Sequence, residues 1–209
     1  MRHRLMVWGL AVIGLFLFQG CATLSEDECL TADWRTIGFE DGARGISSRN
    51  ISKHREACAA YGVRPDFEIY MAGHREGLRE YCIPSQGFAL GRSGKRFNSN
   101  CPPDLAPGFL AAYEDGQSVY QLQSDLNRLQ GDIRRARSEQ EVLKRDIEAN
   151  EDMIASDATS RHLRRELMAQ NRKLEELIAE KYVFIAETEE EIDWIARRIE
   201  KKNLAYYRY

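Results

Sequence analysis

From Leu122 onward, apolar or permissive positions recur at alternating spacings of four and three: Leu122, Leu126, Leu129, Ile133, Ala136, Gln140, Leu143, Ile147, Asn150 and Ile154. A helix keeps such positions on one side, and a partner helix is what buries so narrow a stripe, so the pattern is a heptad seam. The polar interval Ser156 to Ser160 interrupts it. A second seam then reads through Leu163, Leu167, Gln170, Leu174, Leu177, Lys181, Phe184, Thr188, Ile192, Ile195 and Ile199. Two helices of similar length joined by a short polar loop are expected to fold back as an antiparallel hairpin. Leu122 should lie opposite the Ile195 region and Ile147 opposite the Gln170 region. Gln140, Asn150, Gln170 and Lys181 weaken the seam but help to fix its register. Acids outnumber bases by only 19 to 17 over residues 117–209, so the arms carry no strong field.

The preceding residues have a different composition. All five prolines and every cysteine lie at or before Pro107, and Gly131 is the only glycine after Gly116. The shift puts a boundary near Tyr113 to Tyr120. The expected organisation is a leader at 1–20, a Cys, Gly and aromatic-rich domain at 21–116 and the hairpin at 117–209. The fold class expected is all-α, a small disulfide-stapled helical domain followed by a long antiparallel coiled-coil hairpin.

The leader has a basic start at Arg2 and Arg4, an apolar run from Leu5 to Phe18, and Gln19-Gly20 before Cys21. Fourteen apolar residues span about 21 Å as a helix, short of the roughly 30 Å hydrocarbon core, so the run reads as an export signal rather than a membrane span. Phe18-Gln19-Gly20-Cys21 resembles the lipobox of lipoprotein precursors, with Phe18 in place of the usual Leu and Gln19 in place of a smaller residue. The resemblance implies cleavage before Cys21 and acylation of its sulfur, palmitate included. Ala22, where Asp would retain the protein at the inner membrane, implies a periplasm-facing anchor in the outer membrane. Removing residues 1–20 leaves 28 basic against 33 acidic side chains, a net charge of about −5. With no basic stripe interleaved with aromatics, nucleic acid is not an expected partner.

Cys29, Cys58, Cys82 and Cys101 remain, an even number for an oxidising compartment, and two disulfides are expected. Of the three connectivities, the spacing favours Cys29 to Cys58 and Cys82 to Cys101, each worth roughly 3 kcal/mol by the chain-entropy model. No Cys-x-x-Cys is present. The competing reading is zinc, since His54 and Cys58 stand four apart, with His74 and Cys82 further along. The exported setting favours the disulfides, and no metal or other cofactor is expected.

A weak internal repeat runs through this domain: Gly38-Phe39-Glu40-Asp41-Gly42, Gly73-His74-Arg75-Glu76-Gly77 and Ala112-Tyr113-Glu114-Asp115-Gly116, with Gly87-Phe88-Ala89-Leu90-Gly91 as an echo. Small residues four apart share a helix face, where a missing Cβ lets a neighbouring backbone approach. Close helix packing is the favoured reading. The alternative is a glycine-floored ligand face using Trp34, Asp41, Tyr70, Glu76 and Phe97, with the rings stacking on a glycan or apolar group. Asp33, Asp66 and Asp104 read as helix N-caps.

The combination resembles uncharacterised envelope lipoproteins of Gram-negative bacteria grouped as a domain of unknown function. The resemblance rests on Cys29, Trp34-x3-Gly38-x2-Asp41-Gly42-x2-Gly45, His54-x3-Cys58, Tyr70-x2-Gly73-x3-Gly77-Leu78-x2-Tyr81-Cys82 and Gly87-x3-Gly91-x2-Gly94-x2-Phe97-x3-Cys101. It covers residues 21 to about 120 and implies no catalytic residues.

A hydrolase built from Asp41 or Glu76 with His54 or His74 has no nucleophile elbow, metalloprotease pattern or phosphate loop behind it. The expected function is therefore non-enzymatic: a lipid-anchored scaffold contacting an envelope protein, or a second copy, through the hairpin. The terminal Tyr206-Tyr207-Arg208-Tyr209 is expected to return toward Phe109, Tyr113 and Tyr120 and lock the hairpin at its base.

Overall fold

The computed structural model describes residues 23–97 and 101–206, so the leader, Cys21 and Tyr207 to Tyr209 lie outside the described residues. Of the described residues 81% are helical and none is in a strand. They form two compact units, residues 23–86 with 97 and 101–109, and residues 87–96 with 110–206.

In the first unit, α1 (Glu26–Leu30) starts at a capping box between Ser25 and Glu28. Asp33 caps α2 (Trp34–Ala43), a 3-10 turn at Ser48–Asn50 leads into α3 (Ile51–Ala59), and Asp66 caps α4 (Phe67–Tyr81). Asp104 does not cap. Its carboxylate is drawn into a two-pronged pair with Arg79 at 2.7 and 3.3 Å, and the next helix begins two residues later. The disulfides join Cys29 to Cys58 and Cys82 to Cys101. Around the first of them Trp34, Tyr70, Leu24, Ile37, Ile51 and Val63 make the core.

The glycines explain how α2 and α4 meet. A Cβ on Gly38 or Gly42 would overlap the carbonyl of Tyr70 or His74, and one on Gly73 or Gly77 would overlap the carbonyl of Arg35 or Phe39. Each helix thus presents a Gly-x3-Gly face to the other's backbone. Each glycine costs about 1 kcal/mol of helix propensity, which close backbone packing offsets. Just beyond α2, Gly45 takes φ 67° and the Tyr81 ring fills the space where a side chain would stand.

The second unit repeats this device. It contains the body of α5 (Pro84–Arg92), most of α6 (Ala106–Ala155) and all of α7 (Arg161–Tyr206). Gly91 lies against the carbonyl of Tyr113 and Gly116 against that of Phe88, while Gly94, at φ 68°, lies under the Tyr120 ring. Gly38, Gly42 and Gly45 thus correspond to Gly87, Gly91 and Gly94, and Gly73, Gly77 and Tyr81 to Ala112, Gly116 and Tyr120. The offsets are constant, 49 positions in the first helix and 39 in the second. The correspondence extends to polar contacts. His74 Nε2 donates to the Ile46 carbonyl at 2.7 Å, and Tyr113 Oη donates to the Lys95 carbonyl at 3.0 Å. In chain order each pair has a cysteine before its first helix and that cysteine's partner between the two helices. The difference of ten positions between the offsets reflects α3, which only the first pair has.

Beyond the crossing, α6 and α7 pack antiparallel around a turn at residues 156–160, where Ser160 Oγ accepts from the Leu163 N–H. Every α6 seam position from Leu122 to Ile154 is buried or half-buried, as expected. The α7 seam differs from the expected one. Asn171, Ile178 and Ile185 face α6, while Gln170, Leu177 and Phe184 are exposed. Across the seam Asn150 Nδ2 donates to Asn171 Oδ1 at 2.7 Å, Gln140 Nε2 donates to the Ile178 carbonyl at 3.4 Å and Lys181 bridges to Glu139. At the base, Tyr206 stacks on Phe88 at 4.2 Å rather than on the expected rings, and both Tyr206 and Lys202 bond to Asp115. Burial and the Asp115 acceptor push the Tyr206 hydroxyl up to about 12.

Candidate functional site

The chemically distinctive group in the first unit is Asp41, which is fully buried in α2. Four donors converge on its carboxylate. Tyr70 Oη and Asn50 Nδ2 reach Oδ2 at 2.8 Å, His54 Nε2 reaches it at 2.9 Å, and Arg44 Nη2 reaches Oδ1 at 2.9 Å. Burial pushes this carboxyl upward, but hydrogen bonds from His54, Asn50 and Tyr70 outweigh it and hold the group well below the usual carboxylate range. The same arrangement raises Tyr70 far above an ordinary phenol, through burial first and then through the Asp41 acceptor and charge.

His54 extends the network. With Nε2–H given to the carboxylate, Nδ1 faces Thr23 Oγ1 at 3.0 Å, so the start of the described chain is tied to α3 and through it to α2 and α4. The ring lies edge-on to Tyr70, which stacks on His74. A buried carboxylate that takes four donors, with a pKa far from neutrality, is a fastening for three helices. The second helix pair has Leu90 and Phe109 where the first has Asp41 and Tyr70, and among the described residues no counterpart of α3.

The residues expected to share a ligand face lie in different surroundings. Trp34 is 9% exposed, and with Tyr70 it packs on the Cys29–Cys58 disulfide; both belong with Asp41 to the interior. Glu76 lies outside, paired with Arg35 at 2.8 Å. Phe97 is half-buried with its ring 4.8 Å from that of Phe109. The five therefore do not form one surface, because the rings were needed for the core. The glycines expected as a groove floor are covered by helix backbone. Cys58 and Cys82, the thiols of the zinc reading, are both in disulfides. Cys21 lies outside the described residues.

Sequence reasoning missed Asn50 and Thr23 as partners of His54, and it missed an open groove of about 670 Å³ on the outer side of α3. It is lined by the apolar Ile51, Val63, Pro65 and Phe67 and by the charged Arg55, Glu56 and Arg64. The run Arg49-x3-Lys53-His54-Arg55 was the available signal, masked by the net negative charge of the whole chain. No described helix is long and apolar enough to cross a membrane.

The architecture defines a class: an all-α module built twice on a glycine-to-backbone helix crossing, disulfide-stapled, with a two-helix hairpin. Residues 33–118 match the family model described as Protein of unknown function (DUF2799), and that match spans both glycine crossings. No curated protein and no solved structure matches the chain significantly.

Proposed function

We propose that the chain is a lipid-anchored lipoprotein of the Gram-negative envelope, held through acylated Cys21 on the periplasmic side of the outer membrane. There it acts as a non-enzymatic scaffold through its helical hairpin. The observation that carries this reading is the row of apolar side chains left outside the seam of α7. Leu177 and Phe184 are 43% and 44% exposed although Ile178 and Ile185 already close the contact with α6. Exposed apolar side chains aligned at heptad spacing on a long helix suit a further helix from an envelope protein or from a second copy. Support for the compartment comes from the two disulfides, which persist in oxidising surroundings, and from the basic, apolar and small-residue order that ends at Cys21. The burial of Trp34 and Tyr70 favours the scaffold over glycan stacking in the stapled domain.

Photoreactive residues at Leu177 and Phe184, and separately at Phe97 and Glu76, test the reading in intact envelopes. Crosslinks from the hairpin to one envelope protein or to a second copy are expected. Silence there with glycan captured at the stapled domain would reverse the assignment. Incorporation of labelled palmitate, abolished by Cys21→Ser, tests the anchor itself.

A further inference from the structure

We propose that the groove on the outer side of α3 binds the phosphate-bearing headgroups of anionic phospholipids, so that this face of the first unit lies on the bilayer surface. The inference rests on the lipid-anchor reading above for its choice of a bilayer over free phosphate.

Three observations lead to it. The first is charge without counter-charge. Arg35, Arg44 and Arg79 of the first unit each pair with an acid, whereas Arg49, Lys53, Arg55 and Arg64 have no ion pair among the described residues. Over residues 47–65 these four bases face a single acid, Glu56, which also borders the groove. Two guanidinium groups beside a concave surface match a phosphodiester, which accepts paired N–H bonds from each. The second is the apolar part of the lining. Phe67 is 56% exposed at the groove and Tyr61 is 40% exposed on the loop beside it. Rings next to unpaired cations are what an interfacial surface offers to the boundary between headgroups and acyl chains.

The third is position. Thr23 is held by His54, and His54 lies on α3, the helix whose other side walls the groove. Only Ala22 separates Thr23 from Cys21, and a fully extended chain covers at most about 7 Å over those two steps. An acylated Cys21 therefore keeps α3 within reach of the headgroups. Among the described residues the second glycine crossing closes without an equivalent of α3, so this helix is not required by the crossing itself. What it adds is a basic outer side, on a helix that His54 fastens to Asp41 and to Thr23 at the start of the described chain.

The test uses the chain from residue 21 with Cys21→Ser, which retains every described residue and carries no acyl group. Its flotation with phosphatidylethanolamine vesicles is measured with and without phosphatidylglycerol. Binding only to the phosphatidylglycerol vesicles is expected, weakening as salt rises. Arg55→Glu with Arg64→Glu should lower it by about tenfold or more, and Arg55→Gln with Arg64→Gln should lower it by a smaller factor. Arg172→Glu, on α7, should leave it unchanged. Equal binding to both vesicles, no binding to either, or undiminished binding by the folded double variants would overturn the proposal. Loss of vesicle binding to millimolar inorganic phosphate at constant ionic strength would assign the groove to free phosphate and overturn the lipid source. Failure of Cys21 to take up palmitate would remove the anchor while leaving the vesicle result to stand or fall separately.

Discussion

Asp41 is the residue at which burial and charge are most finely opposed. Taking a carboxylate out of water is costly, and four donors on two oxygens repay it only while the group is ionised. Its folded pKa lies below the unfolded value of about 3.9, so its stabilisation is complete above that value and is lost as pH falls through the acid range. Asp41→Asn turns one acceptor oxygen into a donor facing donors, and should cost about 3 kcal/mol at neutral pH by denaturant titration. The variant should also lose stability less steeply than the parent between about pH 5 and pH 2, and an identical acid limb would remove Asp41 from this role. The glycines at the crossing set a steric limit instead. Gly38→Ala and Gly77→Ala put a methyl group onto a carbonyl that belongs to rigid helix, and each should cost about 3 kcal/mol or more. Gly131→Ala is the control, because only the Arg134 side chain lies near, at 3.8 Å. It should gain up to about 1 kcal/mol from helix propensity.

At the scale of elements, the hairpin depends on which stripe of α7 turns inward. Two adjacent stripes compete, Gln170, Leu177 and Phe184 against Asn171, Ile178 and Ile185. Asn171 helps to decide between them, since Asn150 is buried opposite and each amide satisfies the other. Asn150→Leu alone should destabilise the hairpin by about 1–2 kcal/mol by leaving Asn171 buried and unpaired. Adding Asn171→Leu should restore or exceed the parent stability while loosening register or oligomeric state, which light scattering after chromatography would detect. The α6 seam was legible because its four-and-three spacing is strict and unrivalled. The α7 seam was not, because choosing between adjacent stripes needs knowledge of the partner's surface. The glycine spacing was legible too, but which helix each glycine meets depends on contacts far apart in the chain. The Asp41 fastening draws on Thr23, Asn50, His54 and Tyr70, a set that no local pattern links. Asp104 illustrates the reverse case, a sound local capping signal overridden by Arg79 from another helix.

At the scale of the whole molecule, composition and packing divide the chain differently. Composition changes at Gly116, but that residue lies inside α6, and residues 87–96 belong to the same compact unit as the hairpin. The reason is the base of the hairpin. Tyr206 needs the Phe88 ring and the Asp115 carboxylate, Lys202 needs the same carboxylate, and Ile199 packs on the cluster of Phe88, Ala112 and Val119. A fragment of residues 117–209 lacks Phe88, Ala112 and Asp115 altogether, so the last turns of α7 face water where they should be covered. Its middle keeps Ile133, Ala136, Ile185 and Ile192 in contact and should hold. Hydrogen exchange separates the two regions. Amides of residues 195–206 should exchange at least about tenfold faster in the 117–209 fragment than in the full chain, while those near Ile133 and Ile185 change little. A fragment from residue 87 to 209 retains every contact of the base and should restore the protection. Full protection of residues 195–206 in the shorter fragment would mean that the hairpin is closed by its own seam alone, and that the composition boundary is also the folding boundary.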